Sequence, residues 1–207
     1  MKNSVFVLLL LFIWLAGCAP APQRMADTDR KSIQSVSINE AVVMPPVPFY
    51  LGPGGAFGLM FGAIGALATE SGRADGRAAL VEFAKKNGIS IERIVLEEFT
   101  LALRASGKVG VVGNGTPGAP SIQINIRQYG LSIPNGFSSN LVPILFVVGS
   151  MTDSTGKTVW SASDRVSPLG NPVEGVKPES IQSDPKVLET IWRAAARHVV
   201  SNILKEL

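Results

Sequence analysis

The chain has little of what chemistry at a protein site usually requires. It carries one cysteine, Cys18, and one histidine, His198, in 207 residues. A lone histidine cannot complete a zinc or iron coordination set, and a single cysteine excludes an internal disulfide. No Gly-x-Ser-x-Gly elbow, phosphate-binding loop or dinucleotide fingerprint is present. His198 would have to be the base of any triad. Asp153 and Asp164 flank an expected hairpin and could do acid-base work, but a turn former and a solvated surface charge account for them more simply. Charge is scarce and balanced, with 19 basic against 16 acidic side chains. No basic cluster exists to neutralise a row of phosphates, which excludes nucleic acid as a partner. These absences imply no cofactor and no metal, and they point to a protein that is not an enzyme.

What is present begins at the start of the chain. Lys2 precedes an apolar run from Val5 to Leu15, and small residues follow. Eleven helical residues cover about 16 Å, well short of a hydrocarbon core of about 30 Å. The pattern is that of a secretory signal over residues 1–17 rather than a permanent span. Leu15-Ala16-Gly17-Cys18 resembles the lipobox of bacterial lipoproteins. That resemblance implies recognition of Leu15, Ala16 and Gly17 by a signal peptidase, cleavage before Cys18, and acylation of Cys18. Two or more acyl chains anchor stably where one does not, each buried methylene contributing about 0.8 kcal/mol. Ala19 stands where inner-membrane lipoproteins often carry Asp, so the resemblance favours the outer membrane, with the domain facing the periplasm. Loss of Lys2 with the signal leaves 18 basic and 16 acidic side chains, a net charge of +2.

Residues 18–34 contain proline and polar side chains, and read as a lipidated tether. Residues 35–207 are long enough for one domain with a core. A first strand is expected over Val36–Val43, stopped by Met44-Pro45-Pro46-Val47-Pro48. From Ala41 to Thr69 there is no charged side chain, and Gly54, Gly58 and Gly62 recur every fourth residue. At that spacing they would form a smooth stripe on one helix face. Three readings of this insertion, residues 51–69, stay open: a membrane-inserted or oligomer-forming glycine zipper, a glycine-rich loop over the domain, and a buried helix. Gly54, Gly58 and Gly62 are the candidate contact surface.

Ala78–Lys86 reads as a helix ended by Asn87-Gly88. Ser90 can cap a second helix, whose Ile91, Ile94, Val95, Phe99 and Leu103 share one face and which Gly107 closes. Lys108–Val112 is a short apolar strand. Ile122, Ile124 and Ile126 alternate with polar residues as in a half-buried strand. Leu141–Met151 and Lys157–Val166 form a pair joined by Asp153-Ser154-Thr155-Gly156, which is hairpin chemistry. Pro168–Pro185 reads as a polar loop, and a final helix runs from about Pro185 to Leu207, with His198 at its rim. The expected fold is α/β, of the α+β type. It is a two-layer sandwich with a mostly antiparallel, four- to five-stranded sheet and helices on one face.

Two stretches resemble a known family. Ile91–Val112, ending Ser106-Gly107-Lys108-Val109, is similar to the helix, Ser-Gly, short strand unit of TolB amino-terminal-like domains. Ile144–Val166, with Asp153-Ser-Thr-Gly-Lys-Thr-Val-Trp160, is similar to their strand, hairpin, strand unit. Envelope lipoproteins built on this domain include the curli-secretion channel protein and activators of peptidoglycan synthases. The resemblance implies a non-enzymatic protein that works by binding an envelope protein or by self-assembly. The pore does not carry over, because residues 41–69 lack alternating amphipathic strands. Two functional expectations follow: an outer-membrane accessory or assembly factor tied to the bilayer through acylated Cys18, and a self-assembling, membrane-inserting component of an export apparatus, a homo-oligomer.

Overall fold

The alternation at Ile122–Arg127 and the apolar run after Leu141 become the two central strands of one sheet. The computed structural model describes residues 22–52 and 76–207. In chain order its elements are α1 (Asp27–Ser32), β1 (Ser35–Ile38), β2 (Phe49–Leu51), α2 (Gly76–Lys86), α3 (Ile91–Ser106), β3 (Gly110–Val112), β4 (Ser121–Ser132), β5 (Val142–Thr152), β6 (Thr158–Val166), α4 (Pro178–Ser183) and α5 (Lys186–Lys205). The strand order is β3-β1-β4-β5-β6, and β2 also pairs with β4.

The α+β sandwich expected from the sequence is the one observed, with two differences. The sheet has six strands rather than four or five. Its long ladders, β4 with β5 and β5 with β6, are antiparallel, but β1 and β2 run parallel to β4, and β3 runs parallel to β1. Periodicity reports which side chains face the core and is silent on strand direction. Direction follows from the connection: a helix between two strands carries the chain back to its starting end, so the next strand runs parallel. Here α3 does so ahead of β3.

The expected strand over Val36–Val43 is interrupted at Ile38. The Asn39 side chain accepts a hydrogen bond from the Ala41 N–H at 2.9 Å and donates to Gln123 Oε1 at 2.7 Å, turning the chain locally. Pairing resumes only as a bridge between Val43 and Asn125. Within the loop expected over Pro168–Pro185, α4 adds a short helix that opens on Pro178.

α3 and α5 cover one face of the sheet, where Ile122, Ile124 and Ile126 meet Leu145, Val147 and Met151, all buried. A side chain of this size contributes about 1.5–3 kcal/mol on full burial. Ser90 caps α3 as expected, accepting the Arg93 N–H at 3.1 Å, and Gly107 ends the helix in the left-handed conformation. Gly149 sits mid-strand under the Trp160 ring; a methyl group there would lie 3.0 Å from the indole. The glycine lets Trp160 pack flush between β5 and α5, where its Nε1–H donates to the Glu206 carbonyl oxygen at 3.1 Å. Gln123, Asn125, Phe146, Val148 and Ser150 on the opposite face are only half-buried.

Residues 23–25, within the stretch that reads as a tether by composition, lie against the domain, whereas α1 buries no side chain. Gln23 and Ser161 exchange both backbone hydrogen bonds at 2.8 Å, extending the sheet beyond β6 by one residue. Met25 is buried in the core, and Arg24 reaches Glu206 at 3.2 Å. A free tether needs residues with nothing to bury, and Met25 is the exception that docks this one.

Candidate functional site

The residues singled out by sequence, Leu15, Ala16, Gly17 and Cys18 at the lipobox and Gly54, Gly58 and Gly62 in the glycine stripe, lie outside the described residues. His198 is exposed on α5, with its Nε2 3.2 Å from Asn202 Nδ2 one turn on. Asp153 and Asp164 are not brought together. Asp153 Oδ1 accepts from the Thr155 hydroxyl, the Thr155 N–H and the Lys157 N–H, while Asp164 on β6 accepts from Asn202 Nδ2 at 2.8 Å. Among the described residues, no three His, Cys, Asp or Glu side chains are grouped to hold a metal.

The structure instead assembles a cavity of about 380 Å³ from four pieces of chain. Met44, Pro46 and Pro48 form one wall, a strap whose proline rings fix an extended backbone. The second wall is α2, with Leu80, Val81 and Ala84, and Ile89 and Ile91 close a third side. Tyr129 and Trp192 make the floor, edge to face with ring centroids 6.2 Å apart and planes at 72°. Lys85 and Glu92 stand at the rim and are exposed. An apolar cleft of this size with few polar groups suits an apolar side chain or chain segment.

Tyr129 reaches that floor through a break in the strand pattern. The register of β4 against β5 shifts between Ile126 and Gln128, so the inward sequence reads Ile122, Ile124, Ile126, Tyr129, Leu131. A bulge of this kind inserts one residue and reverses the facing of everything after it. The three-residue step from Ile126 to Tyr129 was the available sequence signal. Burial first, and then the Glu92 carboxylate, hold the Tyr129 phenol above its ordinary pKa of 10.0.

Gly130 supports the same floor. Its φ of +147° belongs to glycine, and a Cβ there would run into the Phe49 carbonyl of β2. Its own carbonyl accepts the Trp192 Nε1–H at 3.2 Å. Behind the floor, α3 and α5 are clamped by charge. Glu98, almost fully buried, receives Arg193 Nη1 at 3.0 Å and Arg197 Nε at 2.9 Å. Arg193 also meets Glu97 and Glu189, each at 3.0 Å. The hydrogen bonds that Arg193 donates to Glu189, Glu98 and Glu97 hold its guanidinium pKa above the ordinary value, so it stays charged at any working pH.

No protein-family model matches this chain, and no curated protein matches it in sequence. Solved structures resemble it at low identity. A Xanthomonas campestris protein of the DUF330 family aligns with TM-score 0.40 and 14% identity over 55% of this chain, which spans 58% of that protein. The PelC dodecamer from Paraburkholderia phytofirmans aligns with TM-score 0.38 and 13% identity, covering 91% of this chain and 95% of that one. Lipoprotein GNA1162 from Neisseria meningitidis aligns with TM-score 0.24 and 21% identity, covering 75% and 97%. Likenesses at this level carry no argument about function.

Proposed function

We propose that this chain is an outer-membrane lipoprotein, held through acylated Cys18, that acts without catalysis as an accessory or assembly factor for an envelope protein. The observation that carries the reading is the Leu15-Ala16-Gly17-Cys18 sequence, five residues ahead of the point where Gln23 docks on β6. The similarity of Ile91–Val112 and Ile144–Val166 to TolB amino-terminal-like units belongs to the same reading. The contact surface is the cleft between α2 and the Met44–Pro48 strap, which receives an apolar segment of the partner over the Tyr129 and Trp192 rings.

The test has two parts. Palmitate labelling and mass spectrometry of the wild type, with Cys18→Ser as control, read the anchor; an unacylated wild type overturns it. A photo-crosslinking residue at Lys85, on the cavity rim, reads the contact in cells. A discrete heteromeric adduct, lost on Val81→Asp, supports the accessory role. No adduct, or one indifferent to Val81→Asp, overturns the contact surface.

The glycine stripe favours a second reading, a self-assembling component of an export apparatus that uses Gly54, Gly58 and Gly62. Glycines four apart allow backbones to approach closely. The native mass of the acylated protein in mild detergent separates the two readings. A closed oligomer lost on Gly58→Val and Gly62→Val supports assembly, and a monomer removes it.

A further inference from the structure

The sheet has two ends of different character. At one end lie the β5–β6 turn, with Asp153 and Lys157, and the last turn of α5, with Lys205 and Glu206. At the other end β4 passes into β5 through residues 133–141, and β6 passes into the loop that begins at Ser167. The pairing fixes this placement: Ser132 faces Val142, Val166 faces Leu145, and Leu51 at the end of β2 faces Ser132.

Of the loops that close the sheet at this second end, the β4–β5 loop carries no charge, and the loop after β6 carries none until the exposed Glu174 and Lys177 near its end. No charged side chain occurs from Gln128 to Thr152, nor from Ser167 to Val173. They also hold the two most exposed large apolar side chains among the described residues, Phe137 at 103% and Leu169 at 79% relative exposure. Both sit on tight turns. Phe137 follows Asn135, whose Oδ1 accepts the Phe137 N–H at 3.0 Å, and the Leu169 carbonyl accepts the Ser167 hydroxyl at 3.0 Å. Each turn holds its own apolar tip outward.

The chain at Gln23 is directed towards this same end. Gln23 pairs antiparallel with Ser161, so towards lower numbers the chain is aimed along the outer edge of β6 in the direction of Val166. Cys18 is five residues upstream, a reach of at most about 18 Å. Ser161 to Val166 is also five residues, about 17 Å of strand. The length of chain from Gln23 to Cys18 therefore matches the distance from Ser161 to this end.

We infer that this end, with Phe137 and Leu169 as its tips, seats on the phospholipid bilayer that holds the Cys18 acyl chains. The inference rests on the acylation of Cys18 proposed above. The uncharged β4–β5 loop and the uncharged stretch from Ser167 to Val173 enter the interface without the cost of desolvating an ion, and apolar tips on a surface-bound element bury about 5–10 Å into the headgroup and acyl boundary. The charged β5–β6 turn and the end of α5 then face away from the membrane. The domain is held upright by three points, the acyl chains and two apolar tips, rather than swinging on a free tether.

The experiment uses full-length acylated protein in vesicles of phosphatidylethanolamine and phosphatidylglycerol. Cys18 is the sole cysteine, and its sulfur is blocked by the acyl group, so Phe137→Cys, Leu169→Cys and Thr155→Cys each create one labelling position. Each is labelled with an environment-sensitive fluorophore, and nitroxide-bearing lipids measure its depth. All three positions are on turns, and near-ultraviolet circular dichroism checks that each variant keeps the native fold. The expected result is a blue shift and strong quenching at 137 and 169, with neither at 155. Equal quenching at all three positions, or none at 137 and 169 in protein whose Cys18 is shown by mass to be acylated, overturns the orientation. A mass that shows unmodified Cys18 overturns the anchor itself, and the orientation falls with it.

Discussion

Glu98 on α3 and Arg193 on α5 are 95 residues apart in sequence and 3.0 Å apart in space, with the Glu98 side chain only 7% exposed. A buried charge of this kind is satisfied only while both helices stay in register. Breaking a buried pair by removing one member costs about 3–5 kcal/mol, because the other charge is left without a partner. Arg193 keeps Glu97 and Glu189, so Glu98→Ala should fall near the low end, at about 3 kcal/mol. Arg197, whose side chain is 66% exposed, should cost about 1 kcal/mol or less on truncation. Urea unfolding of both variants checks the ordering, and an equal loss for the two would refute the clamp.

Gly130→Ala should detach β2 from β4. The left-handed backbone alone costs about 1–3 kcal/mol for a residue with a side chain, before the collision with Phe49 is counted. A chain of this size loses about 2–4 °C of melting temperature per kcal/mol. Gly149→Ala meets side chains alone, the edge of the Trp160 ring at 3.0 Å and Ile203 at 3.4 Å, and should lose less. The two melting curves decide the matter.

The chain has two tyrosines, and both are raised above 10.0 in the folded protein, Tyr50 by burial and Tyr129 by burial and then by Glu92. Ultraviolet titration should therefore show little tyrosinate at pH 10 in the native state and half-ionisation there once the chain is unfolded. A raised folded-state pKa means that the folded chain holds its protons longer. The linked stability is complete below pH 10 and declines as the pH rises towards the folded values. Native tyrosines that titrate at 10 would contradict the buried phenols.

Asp153 works in the opposite sense. Its carboxylate is held below its ordinary value, chiefly by the Thr155 hydroxyl and further by the Lys157 and Thr155 N–H groups. A depressed folded-state pKa contributes stability above the unfolded value of about 3.9 that fades as the pH falls through the folded value. Asp153→Ala should lower the melting temperature at pH 7 and match the wild type once the wild-type carboxylate is protonated. A constant difference across that range would assign the effect to packing instead.

Much of the domain was legible in the sequence. Ile122, Ile124 and Ile126, the Ser90 cap and the Asp153–Gly156 turn each obey a local rule and are found as expected, because their signals depend on neighbours a few residues away. The cavity was not legible. Its floor joins Tyr129 to Trp192, its strap reads in sequence only as a strand stop, and the β4 bulge hides the inward turn of Tyr129. Met25 was lost within a polar stretch, since one apolar residue sets no periodicity.

The sequence by itself determined the class of the fold, the caps and turns, the scarcity of catalytic groups and the expectation of a lipid anchor at Cys18, all of which are properties of local pattern and composition. Only the tertiary structure decided the directions of β1, β2 and β3, the docking of Gln23 beside Ser161, and the gathering of Phe137 and Leu169 at one end of the sheet. The reason is physical. Strand direction and the meeting of distant loops are set by how connections pack across a core, and a packing partner 31 to 135 residues away leaves no mark on the local sequence.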